Sequence, residues 1–423
     1  MPHLENATDC SLVVHKSVCV TVRIIMFSFK TLASLLVAAL PLGNATPQAG
    51  SAANLVPDRY IVTLKDGISA NDFNFHMNWV RDVQVARAGH RRGLNFRGVE
   101  KTYGVGNFNA YAGHFDEHTL EAIRRNADVE SVEQQQVYHL HELTTQKEST
   151  HGLATISHRE PGSTEYVYDS SAGEGSTVYV LDSGIQVDHP EFEGRAIRGY
   201  NAVKDATDED VQGHGTHVAG IVGSKTYGVA KKTKLVDVKM FHDAGSTNEI
   251  ILDGIEWTIK DITAKQIQNR TVVNMSFGGG NSTALNKIIK TAYDAGILCV
   301  ISSGNMGVDA SDWSPASSPD GITVGAIDAN WRLWDHSNHG PVVHILAPGV
   351  DVLSLAPGNE TKTGSGTSQA APHVAGLAAY LAVAKNINTA KELKATILSL
   401  GTRNKATAVK DGTVNLVAYN GII

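Results

Sequence analysis

The chain of 423 residues is 42% hydrophobic and only 19% charged, so it can bury a large core and has room for two or three domains. Its formal net charge of -7 and its lack of basic runs argue against a partner with a phosphate backbone, and we predict no nucleic acid binding. The 40 glycines against 12 prolines indicate many tight turns in an ordered α/β chain.

The N-terminal segment has the features of a targeting signal. From Met26 onward, Lys30 supplies a positive start, and the apolar stretch 32–42 that follows is too short to span a bilayer. We therefore predict a signal peptide over 26–45, a secreted, extracellular protein and no membrane anchor. Residues 1–25 form an atypical extension that is untranslated if Met26 is the initiator. The alternative, an N-terminal core helix, is disfavoured because nothing amphipathic continues it.

The three cysteines predict a chain without an intrachain disulfide after processing. Cys10 and Cys19 fall in the segment expected to be absent or removed, which leaves Cys299 in the apolar run Gly296-Ile-Leu-Cys. A lone cysteine can act as a nucleophile, but apolar neighbours raise the pKa of a thiol and favour a buried structural role.

Residues 46–143 are predicted to be a separate segment with a folded module from about 55 to 143. Alternating strand and helix patterns, together with one unassigned strand around 93–105, fit a small ferredoxin-like α+β domain of β-α-β-β-α-β order. The assigned elements are Tyr60–Leu64, Asn71–Ala88, Phe108–Phe115, Asp116–Ala127 and Val129–Tyr138. Such a fold is by itself only a scaffold.

Residues 144–423 show apolar strands alternating with longer helices, which is typical of a mostly parallel sheet covered by helices on both faces. The strand Ser176–Leu181 is continuously apolar and is followed directly by Asp182. Functional groups of open α/β sheets gather beyond the carboxyl ends of the strands. Asp182 is therefore a candidate functional residue.

Two further segments supply a histidine and a serine at predicted helix starts. His214 lies in Gly213-His-Gly-Thr-His217, and Ser368 follows Gly366-Thr and opens a long apolar helix. A serine hydroxyl is a weak nucleophile until an imidazole takes its proton, and the imidazole needs a carboxylate that fixes its tautomer. The residue types for nucleophilic catalysis are therefore present.

These segments resemble the three active-site blocks of the subtilisin superfamily in its chain order Asp, His, Ser. Longer stretches are similar to the proteinase K branch of fungal secreted enzymes, and the resemblance extends from about Gly152 to the C-terminus. The module before it resembles that family's inhibitory propeptide. The blocks are Tyr179–Gly184, Gly213–His217 and Gly366–Ser368, and the longer stretches are His189–Arg195, Tyr227–Lys232 and Gly412–Tyr419.

The resemblance implies a self-processing serine endopeptidase with an acyl-enzyme mechanism. It makes Ser368 the nucleophile, His214 the general base and acid, and Asp182 the residue that orients the imidazole. Asn305, in Ser302-Ser-Gly-Asn305, matches the side-chain donor of the oxyanion hole. The chain's own propeptide is implied to be an intramolecular inhibitor, and the enzyme is expected to be a monomer.

Protein and peptide substrates are expected to bind as an added β-strand, because an endopeptidase holds varied sequences through their main chain. The pocket for the residue before the scissile bond, P1, contains no Asp or Glu, so we predict a broad preference for apolar and aromatic residues. Cleavage before Thr144 fits, since it leaves Leu143 at P1. The implied substrate-binding residues are Gly245, Ser246, Thr247, Ser276, Phe277, Gly278, Ser303 and Gly304.

No metal ligand and no cofactor for catalysis are predicted. His344 stands where proteinase K supplies a calcium carboxylate, and neutral imidazole is a poor ligand for this hard cation, so we expect that site to be lost and leave calcium binding open. His217 has a spacing to His214 that could hold zinc, but no third ligand motif follows, which favours a structural role. Asp188 and the acidic stretch Asp205–Asp210 are interpreted as solvated surface, with metal binding as the less favoured alternative.

Two other classes of protein remain as alternatives. The first is a catalytically silent binding protein on a protease fold, which the intact set of active-site residues disfavours. The second is a protease inhibitor whose active part is the module at 55–143. That module is expected to inhibit, but in the service of its own enzyme.

Overall fold

The computed structural model describes residues 55–88, 96–137, 142–242 and 245–422. The predicted extension at 1–25 and the predicted signal peptide at 26–45 lie outside these described residues. Contacts divide the described residues into a small unit, 60–133, and a large unit made of 55–59 and 134–422. None of the described helices combines the length and the apolar character needed to cross a membrane.

The first four strands form one sheet in the order β2-β3-β1-β4, with two helices, as predicted for a ferredoxin-like domain. Leu64, Tyr111 and Leu120 are fully buried between the sheet and the helices. Helix α2 begins after Asp116, whose carboxylate accepts a hydrogen bond from the Thr119 N–H at 2.7 Å. The elements are β1 (Leu55–Leu64), α1 (Ala70–Ala88), β2 (Gly98–Val105), β3 (Phe108–His114), α2 (Glu117–Arg124) and β4 (Val129–Gln136).

The large unit is built on a nine-stranded sheet, as predicted for its fold class. Its helices are α3 (His151–Ser157), α4 (His214–Gly223), α5 (Asn248–Lys265), α6 (Thr283–Asp294), α7 (Thr367–Ala384) and α8 (Ala390–Leu400). Its strands are β5 (Leu143–Gln146), β6 (Tyr166–Asp169), β7 (Thr177–Asp182), β8 (Ala196–Asn201), β9 (Lys234–Lys239), β10 (Thr271–Met275), β11 (Gly279–Gly280), β12 (Leu298–Ser302), β13 (Trp313–Ser314), β14 (Ile322–Ile327), β15 (Ile345–Pro348), β16 (Val352–Ala356), β17 (Glu360–Gly364), β18 (Thr402–Arg403) and β19 (Leu416–Val417).

The order of the large sheet is β18-β19-β15-β14-β12-β10-β7-β9-β8. Every neighbouring pair is parallel except β18 with β19 at one edge. After β7, the next two strands along the chain, β8 and β9, lie on one side of β7 in the sheet. The chain then crosses to the other side of β7, where β10 lies. The topology therefore has a switch point at β7, where the carboxyl ends of adjacent strands open a crevice.

Both faces of the large sheet are buried, which explains its continuous apolar strands. In β7, Val178 and Val180 pack with α4 and α7, whereas Tyr179 and Leu181 pack with α5 and α6. This alternation follows from the two-residue period of a strand. The sheet is thus the middle layer of three, and β7 lies inside it as the third strand from the β8 edge.

Helix α7 is buried along nearly its whole length, so it has apolar residues all round rather than on one stripe. It packs on β10, β12, β14 and β15 and crosses α4 closely. Gly376 permits that crossing, because a Cβ there would lie 2.8 Å from the Val222 carbonyl oxygen. The close crossing holds the N-termini of α4 and α7 in a fixed relation.

Candidate active site

The first functional side chain is the last residue of β7. Asp182 is 3% exposed, and its Oδ1 accepts hydrogen bonds from His214 Nδ1 at 2.6 Å and from the Ser183 N–H at 2.8 Å. His214 is the first residue of α4, so its ring lies beside the carboxyl end of β7. The predicted pair of aspartate and histidine is therefore in direct contact, with Nδ1 facing the carboxylate and Nε2 available on the other side.

The pKa of His214 results from opposing effects. Burial disfavours the imidazolium and by itself lowers the pKa, but the charge and hydrogen bond of Asp182 and the charge of Asp210 outweigh it and raise the pKa above the usual value. The ammonium of Lys362 acts in the opposite direction and lowers it. The surrounding charges thus stabilise the protonated form of His214, which suits a side chain that accepts a proton.

Asp210 fixes the start of α4, and here the sequence interpretation was wrong. It is 4% exposed, not a solvated surface residue, and its carboxylate accepts hydrogen bonds from Ser183 Oγ, Gly213 N–H, Thr216 N–H and Thr216 Oγ. The two N–H groups belong to the helix start, where backbone donors lack intrahelical acceptors. Asp210 therefore ties the loop after Asp182 to the helix that presents the histidine.

Gly213 is required for the backbone geometry before His214. Its φ is +75°, and a Cβ there would lie 2.8 Å from Pro357 Cδ. Glycine adopts this left-handed conformation without steric cost. The motif Gly-His-Gly-Thr-His thus begins with glycine because the backbone turns into α4 with a positive φ at this position.

Ser368 is the second residue of α7 and shares a cavity of about 360 Å³ with His214 and Asn305. Its hydroxyl donates to the Ser276 carbonyl at 2.9 Å, and Ser276 Oγ donates to the Ser368 carbonyl at 2.9 Å. Within the described residues no hydrogen bond joins Ser368 Oγ to the imidazole. Rotation of the hydroxyl away from Ser276 is needed for that bond, and such bonds commonly tighten only when substrate is present.

Asn305 is oriented by the residue before Ser368. Its side-chain oxygen accepts from the Thr367 N–H and the Thr367 hydroxyl, each at 2.8 Å, and the same hydroxyl accepts from the Gly304 N–H at 3.0 Å. With the oxygen used in this way, the amide nitrogen is the group left to donate into the cavity. Thr367 was not identified from the sequence as functional, although it lies inside the recognised motif.

The predicted substrate-binding residues follow three strands: β9 and β10, which flank β7, and β12, which pairs with β10. Ser276, Phe277 and Gly278 come directly after β10, and the Phe277 carbonyl accepts from Ser302 Oγ at 3.4 Å. Gly245–Thr247 follow β9 and end at Thr247, whose hydroxyl caps α5. These segments do not line the cavity that contains Ser368.

Ser303 and Gly304 follow β12 but face different surroundings. The Ser303 side chain is fully buried, and its hydroxyl donates to the Asn338 carbonyl at 3.0 Å. Gly304 has a φ of +104° and a backbone that contacts Thr367. Ser303 therefore supports the loop from inside, whereas Gly304 lies at the site.

His217, which the sequence predicts to be structural, and His373 in α7 both contact the backbone. His217 Nε2 lies 3.1 Å from the Lys362 carbonyl, and burial lowers the pKa of His217 to about 4. His373 Nδ1 lies 2.8 Å from the Gln369 carbonyl, and burial lowers its pKa to about 3. Among the described residues no three His, Cys, Asp or Glu side chains converge on a point that could hold a metal ion.

Several residues of the cavity were not identified from sequence. The exposed strand β17 and the residue after Ser368 supply most of them. They are Lys362, Thr363, Gly364, Ser365 and Gln369. Their position depends on a hairpin of β16 with β17, for which the sequence gives no chemical signal.

Cys299 is buried, and burial raises the pKa of its thiol to about 12. A thiol with that pKa stays protonated and is a poor nucleophile. It lies in β12 and packs in the core between the sheet, α5 and α6. The structure therefore places it in the buried role that the sequence favoured.

A mostly parallel sheet with a serine at a helix N-terminus, near a histidine that is bonded to a buried aspartate, is the arrangement of an α/β serine endopeptidase. The family comparisons place the chain more narrowly. The model of the subtilase family, peptidase S8, matches residues 173–415, and that of peptidase inhibitor I9 matches residues 59–141. The chain belongs to the subtilase family and is a serine endopeptidase with an inhibitor-type N-terminal domain.

Relatives of similar length support the same family. The chain is 44% identical over 412 residues to an alkaline proteinase of Hapsidospora chrysogena, covering 94% of this chain and 99% of the relative. It is 46% identical over 411 residues to the subtilisin-like proteinase Mp1 of Magnaporthiopsis poae, covering 94% and 100%. A solved cold-adapted subtilisin-like serine proteinase is 36% identical, with a TM-score of 0.61, covering 65% of this chain and 99% of that one. The predicted resemblance is therefore confirmed, whereas the bounds 46–143 and 144–423 stay predictions.

The position of Lys362 generates a prediction on pH dependence. Its ammonium disfavours the imidazolium of His214, so Lys362→Met should raise the pKa of His214 further. If neutral His214 is the active form, the acid limb of kcat/KM moves to higher pH and activity falls on the acid side, while the alkaline plateau is unchanged. Lys391→Met, on exposed α8 surface, is the control and should not move the limb. A limb that moves to lower pH in Lys362→Met contradicts the assignment.

Proposed function

We propose that Asp182, His214 and Ser368 act together as the catalytic triad of a secreted endopeptidase. The observation that supports this most directly is the 2.6 Å hydrogen bond from His214 Nδ1 to buried Asp182, on the ring side opposite the cavity shared with Ser368. This bond fixes the tautomer in which Nε2 is unprotonated and able to take a proton. His214 is then the base for the Ser368 hydroxyl.

In the proposed reaction, Ser368 Oγ attacks the scissile carbonyl carbon while its proton passes to His214 Nε2. The tetrahedral oxyanion accepts hydrogen bonds from Asn305 Nδ2 and the Ser368 N–H, which lies in the first turn of α7 and has no intrahelical acceptor. His214 then protonates the leaving amine, and an acyl-enzyme remains on Ser368. Water, activated by the same imidazole, hydrolyses this ester and restores the hydroxyl.

Substrate selection in this proposal depends on main-chain contacts to Gly245–Thr247 and Ser276–Gly278. An extended peptide between them would gain hydrogen bonds that are independent of its sequence. The residues assigned to the P1 pocket, Ser276–Gly278 and Ser302–Gly304, include no carboxylate to pair with lysine or arginine. Hence the preference at P1 is for apolar and aromatic residues.

The inhibitor-type domain is proposed to block the active site until the chain cleaves itself before Thr144. Leu143, which would occupy P1, is 58% exposed and is the first residue of β5. After cleavage, Thr144–Gln146 would stay paired with β6 in the large unit. The new N-terminus would thus be part of a sheet.

The central test is expression of residues 26–423, with and without Ser368→Ala, in a secreting host. We expect the parent chain to appear in the medium, to begin near Thr144 and to hydrolyse casein. The Ser368→Ala chain should be secreted at full length and be inert. Equal maturation and equal casein hydrolysis by both chains would show that Ser368 is not the nucleophile.

The oxyanion assignment is tested with Asn305→Ala. Loss of one preorganised donor typically lowers kcat by about 10²–10³, with a much smaller effect on KM, because the bond forms in the transition state. Asn330→Ala, exposed and outside the cavity, is the matched control. A change confined to KM would contradict a role for Asn305 in oxyanion binding.

The P1 preference is tested with peptides that differ only at that residue. We expect kcat/KM for phenylalanine and leucine to exceed that for lysine and glutamate by about 10-fold or more, the range that an apolar pocket provides. The Ser368→Ala enzyme gives the background rate. A lysine peptide cleaved as fast as the phenylalanine peptide would overturn the predicted preference.

A further inference from the structure

Two backbone carbonyls in the loop before β14 converge on a side-chain ammonium. Lys394, in the middle of α8, donates from Nζ to the carbonyls of Pro319 and Gly321, each at 2.7 Å. The lysine is half-buried, and the loop lies 73 residues or more from it along the chain. The contact therefore joins α8 to the segment that leads into the central sheet.

The third neighbour of this ammonium is an imidazole that cannot accept from it in its present arrangement. His344 Nε2 lies 3.4 Å from Lys394 Nζ, but His344 Nδ1 lies 3.1 Å from the Thr323 backbone nitrogen, which donates to it. A neutral imidazole has a single lone pair, so acceptance at Nδ1 leaves the proton on Nε2. His344 is then a neutral neighbour of the ammonium.

Calcium does not fit this group of residues. The ion takes six to eight oxygen ligands, several of them carboxylate oxygens. The carbonyls of Pro319 and Gly321 already bind Lys394, and His344 presents an N–H on that side where a carboxylate is needed. Burial and the neighbouring ammonium also lower the pKa of His344 to about 4, so the ring is neutral near pH 7.

We propose that the ammonium of Lys394 is the structural cation of the loop at Pro319–Gly321 and that the fold needs no calcium ion there. It supplies the positive charge and the hydrogen bonds for two carbonyls that converge in a half-buried position. A charged donor is worth more to a carbonyl than a neutral one. Because Lys394 is part of α8, its hydrogen bonds also connect this helix to the loop.

The loop is linked to the substrate-binding region through β13. Trp313 and Ser314 pair with Gly280 and Gly279, which follow directly after Gly278. Ser314 Oγ also accepts from the Ser282 N–H at 2.9 Å. The loop at Pro319 therefore follows closely, along the chain, a strand that pairs with the backbone beside the predicted P1 pocket.

A second lysine in the large unit also donates to two backbone carbonyls. Lys231 Nζ donates to the carbonyls of Lys225 and Thr226, both at 3.1 Å. Gln146, in β5, donates to the same Thr226 carbonyl at 3.1 Å. Unlike Lys394, Lys231 lies over the rings of two tyrosines, and burial lowers its pKa to about 7, so only the pair of carbonyl acceptors is common to both sites.

The test compares thermal unfolding of four chains of residues 26–423, all with Ser368→Ala to prevent digestion. They are the parent, Lys394→Ala, Lys391→Ala and His344→Asp with Lys394→Ala. Circular dichroism is recorded in chelator and in excess calcium. Lys391 lies on the same helix and is exposed, and alanine favours helix, so a loss specific to Lys394→Ala cannot come from helix propensity.

In chelator we expect Lys394→Ala to melt about 3–8 °C below both the parent and Lys391→Ala. Calcium should not restore it, whereas it should raise the Tm of the double variant, whose aspartate supplies the missing carboxylate. If Lys394→Ala melts together with Lys391→Ala in chelator, the proposal is overturned. It is also overturned if calcium restores Lys394→Ala to the Tm of the parent, since His344 would then serve a metal site. A calcium ion bound elsewhere shifts all four chains alike and leaves these comparisons intact.

Discussion

A carboxylate buried at the end of a strand in a parallel sheet has to keep its charge compensated, and the geometry of this candidate active site follows from that requirement. Asp182 ends β7 with 3% exposure, and His214 bonds to one of its oxygens. Removing a charge from water costs several kcal/mol unless hydrogen bonds and opposite charge replace the solvent. The start of α4 must therefore be held against the end of β7, which is the task of the Asp210 network.

A buried lysine completes this hydrogen-bonded arrangement. Lys239, 2% exposed in β9, donates to the carbonyls of Ser183 and Glu209. Ser183, which follows Asp182, thus donates its hydroxyl proton to the Asp210 carboxylate and accepts a hydrogen bond from the Lys239 ammonium at its carbonyl oxygen. Such pre-organisation matters for catalysis because groups that are already oriented need no rearrangement when charge develops. The residues proposed to contact substrate thus depend on a buried, hydrogen-bonded polar scaffold.

The elements that end at the site could be predicted from the sequence because each has a strong local signal. The apolar run of β7, the glycines around His214 and the small-residue helix after Ser368 were all located within one or two residues. The sequence also indicated the ferredoxin-like module, although its second strand could be placed only roughly at 93–105. The three motifs and Asn305 supplied four of the residues that line the cavity, His214, His217, Asn305 and Ser368, whereas the side of the cavity formed by β17 was not predicted.

What the sequence did not reveal depends on contacts between distant segments. Asp210 was interpreted as surface because acidic runs usually are, and only the folded loop shows its four donors. Lys362 reaches the cavity through the β16–β17 hairpin, and Lys394 reaches its carbonyls from a helix that begins at Ala390. A lysine on an amphipathic helix gives no sign in sequence that its ammonium binds backbone oxygens.

The proposed use of a tethered ammonium in place of a metal ion would change how stability responds to the surroundings. The stabilisation from a dissociable ligand grows with the logarithm of its free concentration, so it declines on dilution or when competing anions sequester the ion. Lys394 is covalently part of the chain, and its local concentration beside Pro319 and Gly321 is set by the length of a side chain. An enzyme with this arrangement would then carry this part of its ionic requirement with it, whatever the mineral content of its surroundings.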